Sequence, residues 1–238
     1  MSTNYTIIGS KGFIGSALAK KIGAYTTTPT EDTDVLIYMG STVHPEFEKN
    51  FDCHFNKIVS DFLYLLPFCK QHGIFFIYPS SALVYEKETP FVKSKKIIEM
   101  MASCYPNTLG LRIFPTYGPG EQRTIISTWC RAAKEGKTIS IYGDGNQSRD
   151  FIYIDDVVDI ILDHVQKKTE GVIDVGAGQL TKFNEIANII KEVSGNTAPI
   201  EYLPAPSNYV TGEGVLCKNP SHIRVPIRDG IKKIFESL

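Results

Sequence analysis

The stretch YTIIGSKGFIGSALAKKIG, residues 5–23, decides how this chain folds. A short apolar run, 5–8, stops at Gly9, and a helical periodicity follows at once. Ile14, Leu18 and Ile22 recur at i, i+4 and i+8 before Gly23 closes the helix. Gly9, Gly12 and Gly15 lie between strand and helix. In such a turn the first glycine permits the tight reversal, the second lets backbone N–H groups approach a pyrophosphate, and the third lets the helix pack on the sheet. The phosphate would sit at a helix N-terminus, where unpaired N–H groups and the macrodipole favour negative charge. The spacing is G-x-x-G-x-x-G, not the commoner G-x-G-x-x-G, so these residues alone leave a plain strand–helix turn open.

Working outward, the acid that holds a ribose 2′-hydroxyl stands ~20 residues past the glycines in sites of this kind. Glu31 and Asp32 fall there, with no convincing strand to carry them. Only residues 24–33 separate the first helix from the next apolar run at 34–39, and a crossover with its helix needs ~10–12 residues or more. The adenosine side is therefore expected to be abbreviated. Lys11 leaves a 2′-phosphate, and so NADP, open beside NAD.

Next comes a long helical stripe, Phe47, Phe51, Phe55, Ile58, Phe62, Leu65 and Cys69, closing at Gly73. A strand at 74–78, a helix at about 92–103 and a strand at 108–114 follow. The second half reads as a helix near 123–135, a strand at 139–142, a helix at 156–165, a strand at 172–175, a helix ended by Gly195, and a terminal helix from 227. The Pro-bearing segment 199–226 reads as irregular. Apolar strands alternating with helices predict a mostly parallel α/β sheet buried on both faces.

Composition narrows the function. The chain of 238 residues is 42% hydrophobic and 21% charged, with a formal net charge of −1. That excludes a general electrostatic pull toward nucleic acid or anionic lipid. The five cysteines form no C-x-x-C pair, which predicts buried free thiols in a reducing compartment and no metal site. With no basic leader and no run of 18 apolar residues, a cytoplasmic location is expected.

Four motifs then stand in register: GSKGFIG (9–15), SSALVY (80–85), RIFPTYGPG (112–120) and IYGDGNQSRDFIYIDDV (141–157), with VIDVGAG (172–178) as a fifth. Together they resemble the extended short-chain dehydrogenase/reductase family of NAD-dependent sugar-nucleotide epimerases, dehydratases and reductases. The resemblance implies a Rossmann-type doubly wound parallel sheet with a small, abbreviated C-terminal substrate-binding lobe. It sets a dinucleotide-binding core at 1–140 and the remainder at 141–238. It implies NAD held by Gly9, Ser10, Lys11, Gly12, Phe13, Ile14, Gly15, Gly40, Lys95, Phe114 and Thr116. A UDP- or dTDP-sugar would be held by Ser81, Tyr85, Tyr142 and Arg149, the last clamping its diphosphate with a planar fork. Ser81 matches the catalytic serine, and Lys95 the lysine that lowers the catalytic tyrosine's pKa. A homodimer through two helices, with apolar surface on 47–69 and at Ile97, Ile98, Met100 and Met101, is also implied.

The departures bear on the reaction. Phe91 occupies the tyrosine position of Tyr-x-x-x-Lys, and Pro115 replaces an asparagine that helps hold the substrate phosphate. The segment from Tyr85 to Phe91 is much shorter than the family's substrate-covering loop. Ala82 and Leu83 stand where 4,6-dehydratases carry an acidic pair, so epimerase or ketoreductase chemistry is favoured. Losing the phenol should cost ~10²–10⁴-fold in rate unless another group carries the proton. Tyr85 and a water held by Ser81 are the two candidates. A protein that binds dinucleotide or sugar nucleotide without catalysis is the rival reading.

Overall fold

A computed structural model describes residues 3–41, 48–86, 88–206, 212–220 and 224–238. The chain divides into two compact units, Met1–Ile113 with Val158–Asp174, and Phe114–Val157 with Val175–Leu238. These units interleave, whereas the sequence suggested one boundary near 140. The reason is that a late helix and strand return to complete the first unit's sheet.

The first unit contains β1 (Tyr5–Ile8), α1 (Phe13–Ile22), β2 (Val35–Tyr38), α2 (Phe51–His72), β3 (Phe75–Ser81), α3 (Pro90–Ser103) and β4 (Thr108–Ile113). It also takes most of α5 (Ile154–Lys167) and β9 (Gly171–Val175). The sheet order is β1-β2-β3-β4-β9, and the β1–β2, β2–β3 and β3–β4 pairs are parallel. On the free side of β1 a single residue, Thr26, makes a parallel bridge to Thr6. Ile7 donates to the Thr26 carbonyl at 2.8 Å, and Thr26 donates to Tyr5 at 2.9 Å. The abbreviation read from the ten-residue crossover is this: one bridging residue stands where a strand would lie. The chain nevertheless passes from β1 to one side at the Thr26 bridge and then to the other at β2, and ligands of open α/β sheets bind where successive connections part in this way.

Alternation along each strand divides the apolar residues between two faces. Leu36, Tyr38, Phe76 and Tyr78 pack against Ile58, Phe62, Leu65, Leu66 and Cys69 of α2 and Ile98 and Ala102 of α3. The rings of Phe62 and Phe76 meet edge-on at 5.4 Å, as do those of Phe62 and Tyr78. Each such side chain contributes roughly 2 kcal/mol by leaving water. Val35, Ile37, Phe75 and Ile77 are buried on the opposite face. On α1, Lys21 pairs with Asp159 of α5 at 3.2 Å. Phe47, the first residue of the predicted stripe, lies outside the described residues. Gly73 ends α2 in the left-handed region, as its position predicted.

The second unit contains β5 (Thr116–Tyr117), α4 (Ile125–Lys134), β6 (Ile139–Tyr142), β7 (Ser148–Asp150), β8 (Ile152–Tyr153), β10 (Leu180–Lys182), α6 (Phe183–Ser194), β11 (Ile200–Leu203) and α7 (Ile227–Ser237). Its sheets are small: β6 with β11, β7 with β10, β5 with β8. The segment read as irregular thus opens with a strand, whose Ile200 to Leu203 pair in parallel register with Ile139 to Tyr142. Trp129 and Phe183 meet edge-on at 5.7 Å in its core. Asp150 knots its loops together, accepting from the N–H groups of Ala177, Gly178 and Cys217 at 2.8, 2.9 and 3.0 Å. All five cysteines are free, but only Cys69, Cys130 and Cys217 are buried; Cys53 and Cys104 are exposed on helical surface.

Candidate active site

The glycine turn separates what the protein needs for itself from what it leaves open. Gly9 has φ +86°, and a Cβ there would stand 2.5 Å from the Met39 carbonyl carbon and 2.8 Å from the Gly40 nitrogen. A Cβ at Gly15 would lie 2.1 Å from the Gly9 oxygen. Both glycines are therefore required by backbone packing alone. Gly12 differs: it has ordinary extended geometry, and the one atom within 4 Å of an added Cβ is the Gly9 oxygen at 3.3 Å. Gly12 also begins α1 with no side chain capping the helix. The chain thus leaves a helix N-terminus bare behind a glycine that its own fold does not demand, as phosphate binding requires. Gly40 is held tightly between the Tyr38 ring and Ile8. Lys11 is exposed, and Ser10, Phe13 and Ile14 are half-buried. Glu31 and Asp32 are exposed in the turn between α1 and β2.

Ser81, Phe91 and Lys95 come from β3 and α3, which pack together. Ser81 ends β3 and caps a short 3-10 turn, 82–85, by accepting from the Leu83 N–H at 3.2 Å. Thr89 caps α3 through the Val92 N–H, Pro90 fits its first turn, and Glu48 accepts the Phe91 N–H at 2.9 Å. Phe91 is 5% exposed and packs with Val92, Phe51, Phe55 and Leu83. Lys95, one turn on, is 2% exposed. Its Nζ donates to the Pro79 carbonyl at 3.1 Å, lies 2.7 Å from Ser41 Oγ and 5.3 Å from the centre of the Phe91 ring. Burial pulls its pKa down to about 7, against a smaller upward pull from Glu99.

Tyr85 is placed differently from the role given it as a substitute acid. Its hydroxyl donates to Asp174 at 2.8 Å and accepts from Arg112 Nη1 at 2.7 Å. The guanidinium also lies 4.9 Å from the Tyr85 ring centre, and it grips Glu99 with Nε at 3.0 Å and Nη2 at 2.7 Å. Ser80 donates to the same carboxylate. Burial, more than the flanking charges, raises the Tyr85 pKa above its ordinary value, which makes it a poorer acid. Neither this network nor Ser41 was singled out in the sequence. The signal for Ser41 was its position, directly after the Met39–Gly40 segment against which the glycine turn packs.

Four predicted site residues belong to the second unit. Phe114 is buried and Thr116 Oγ1 donates to its carbonyl at 2.9 Å. Tyr142 ends β6 with an exposed ring. Arg149 Nη1 donates to Ser148 O at 2.7 Å and Gly212 O at 3.1 Å, and its guanidinium lies 5.9 Å from the Phe183 ring centre. Gly214 makes room for it, since a Cβ there would stand 2.7 Å from Arg149 Cδ.

A sheet of parallel strands led by β1, a glycine turn at the end of β1, and a serine and buried lysine on β3 and the following helix define a Rossmann-type protein of the extended short-chain dehydrogenase/reductase class. The sequence profile of the NAD dependent epimerase/dehydratase family matches residues 29–176, beginning beyond the glycine turn. The chain belongs to that family. It is 38% identical over 96 residues to dTDP-L-rhamnose 4-epimerase of Burkholderia thailandensis, covering 37% of this chain and 26% of that one. The curated relatives with longer matches reach 54% of their own length. In fold it is similar to UDP-N-acetylglucosamine 4-epimerase from Methanobrevibacter ruminantium, solved with UDP-N-acetylmuramic acid. The TM-score is 0.88 at 20% identity, covering 99% of this chain and 98% of that one. A tyrosine-to-phenylalanine variant of UDP-glucuronic acid 4-epimerase from Bacillus cereus, in complex with UDP-4-deoxy-4-fluoro-glucuronic acid and NAD, matches with a TM-score of 0.82 at 20% identity. That match covers 99% of this chain and 98% of that one.

Proposed function

We propose that the chain is an NAD-dependent sugar-nucleotide epimerase acting on a UDP- or dTDP-sugar by oxidation and re-reduction at one sugar carbon. The observation that carries this reading is Lys95. A lysine at 2% exposure whose hydrogen-bond partners among the described residues are a hydroxyl and a carbonyl is a burden on the fold, since neither is an anion. Its presence beside the tyrosine position is explained by reaction chemistry. Gly9 to Gly15 and Gly40 would hold the dinucleotide. Bound NAD supplies a reversible hydride acceptor. Ser81 would position the sugar, and Arg149 and Tyr142 would hold the nucleotide end. Ala82 and Leu83 offer no proton-transfer group, which favours epimerisation or simple ketoreduction over dehydration.

Met100, Leu63 and Tyr64 stand 65%, 64% and 64% exposed on α3 and α2, which supports a homodimer through those helices. Among the described residues no helix is long and apolar enough to cross a membrane. The free thiols favour a cytoplasmic setting. Phe91 favours a second reading, a nucleotide-binding protein without turnover. Incubating the purified protein with NAD and then with UDP-glucose, UDP-glucuronic acid or dTDP-L-rhamnose separates them. A rise in nicotinamide absorbance supports the epimerase. Binding without reduction or product favours the second reading, absence of dinucleotide binding overturns the epimerase, and absence of both dinucleotide and sugar-nucleotide binding overturns both.

A further inference from the structure

We infer that Ser41 and Lys95 form a proton-carrying pair that replaces the missing phenol, with Ser41 Oγ receiving the proton of the sugar hydroxyl and passing its own to Lys95. This rests on the epimerase reading above and concerns which groups perform its acid–base step. Three observations carry it.

The first is geometry. Ser41 Oγ lies 2.7 Å from Lys95 Nζ, and Ser41 follows the Met39–Gly40 backbone on which the glycine turn rests. The hydroxyl thus lies beside the lysine, on the segment that follows the C-terminal end of the parallel strand β2. The second is that this hydrogen-bonding set accommodates both protonation states without moving a heavy atom. As an ammonium, Lys95 donates to Pro79 O and to Ser41 Oγ; as an amine, it still donates to Pro79 O and accepts from the Ser41 hydroxyl. The third is that the alternatives are occupied otherwise. Tyr85 is bonded to Asp174 and Arg112, Ser81 Oγ accepts from the Leu83 N–H in capping its turn, and the Phe91 ring has no exchangeable proton.

The charge balance of the site suits a neutral lysine at working pH. Burial brings its pKa to about 7, where an acid–base group is most effective. Among the described residues the one charge acting on it is Glu99, on the same helix. That carboxylate is committed to Arg112 of β4 and Ser80 of β3. In the forward step the sugar O–H bond breaks and its proton goes to Ser41 Oγ as the Ser41 proton goes to the Lys95 amine. Bound NAD would supply the acceptor for the hydride of the same sugar carbon, and the pair's own part of the step ends with Lys95 as an ammonium. Re-reduction returns the hydride and the proton.

The test uses the full chain labelled with 13C at the lysine ε-carbons, titrated by NMR from neutral to alkaline pH, with Lys95→Met assigning the signal. One lysine is expected to titrate near neutrality. Ser41→Ala should move that midpoint lower still, because the lost hydrogen bond favours the ammonium more than the amine; Ser41→Thr should restore it. With NAD and UDP-glucose, UDP-glucuronic acid or dTDP-L-rhamnose, Ser41→Ala should slow single-turnover cofactor reduction about 10²–10⁴-fold, with NAD affinity unchanged. A Lys95 midpoint in the ordinary lysine range, or one indifferent to Ser41→Ala, overturns the pair. So does an unchanged reduction rate in that variant. If the wild type binds no NAD the epimerase reading fails separately, and where none of the three sugars reduces the cofactor the NMR titration alone decides.

Discussion

Replacing Lys95 by Met should make the protein more stable near neutral pH and less stable in alkali. In the folded chain Lys95 titrates at about 7, whereas an unfolded lysine titrates near ~10.4. A depressed folded pKa gives a contribution that is present above the unfolded pKa and lost as pH falls toward the folded one. At or below neutrality the wild type therefore carries the full penalty, about 5 kcal/mol at one tenfold factor per pH unit. Methionine removes that penalty and fills nearly the same volume. It also leaves Pro79 O and the half-buried Ser41 Oγ without the amine, which costs ~1–2 kcal/mol apiece, the lower part of the range for buried groups. The net gain near pH 7 should be about 1–3 kcal/mol. As pH rises toward ~10 the wild type recovers tenfold per unit in its folding constant, and the sign reverses. Urea unfolding of both proteins at a series of pH values reads this directly, because all other titrations cancel in the difference. A stability difference that stays constant between neutral and alkaline pH would refute the buried-lysine account.

Phe91→Tyr should raise turnover about 10²-fold or more if a phenol one turn before Lys95 was the missing acid. A flat rate, measured by coupled product formation, would mean that the Ser41–Lys95 pair already carries the proton. Gly12→Val is expected to abolish NAD binding with circular dichroism unchanged, since among the described residues an added Cβ comes no closer than 3.3 Å to its neighbour. Gly9→Ala, by contrast, should disrupt folding, because the new Cβ meets backbone at 2.5 Å; equal NAD affinity in wild type and Gly12→Val would remove the phosphate assignment. Leu63→Glu with Met100→Glu should yield monomers by light scattering at micromolar concentration, and a dimer that survives both changes places the interface elsewhere.

Local sequence carried much of this architecture. Gly9, Gly15 and the Ile14–Leu18–Ile22 stripe each report a short-range requirement, namely a left-handed turn, a close approach and a buried helix face. The abbreviated crossover was legible from chain length, because ten residues cannot hold a helix and a strand. The strands at 148–150, 152–153 and 180–182 escaped notice because two or three residues give too little alternation to register. The surroundings of Tyr85 were not legible for another reason. Its partners Arg112 and Asp174 are 27 and 89 residues away, and nothing near residue 85 encodes them. Ser41 likewise becomes meaningful only once α3 brings Lys95 to it from 54 positions downstream.

The interleaving of the two units has a consequence for biosynthesis. A ribosome delivers β1 through β4 first, then the opening part of the second unit, and only afterwards α5 and β9. Until residue 175 has emerged, the nascent sheet presents β4 as an open edge with unpaired N–H and C=O groups, the template on which strands of other chains add. Truncation after Ile113 would make that transient edge permanent, so the first unit is not separable by a single cut. A fragment that includes residues 158–174, spliced behind β4 through a short linker, is the minimal piece with its sheet complete.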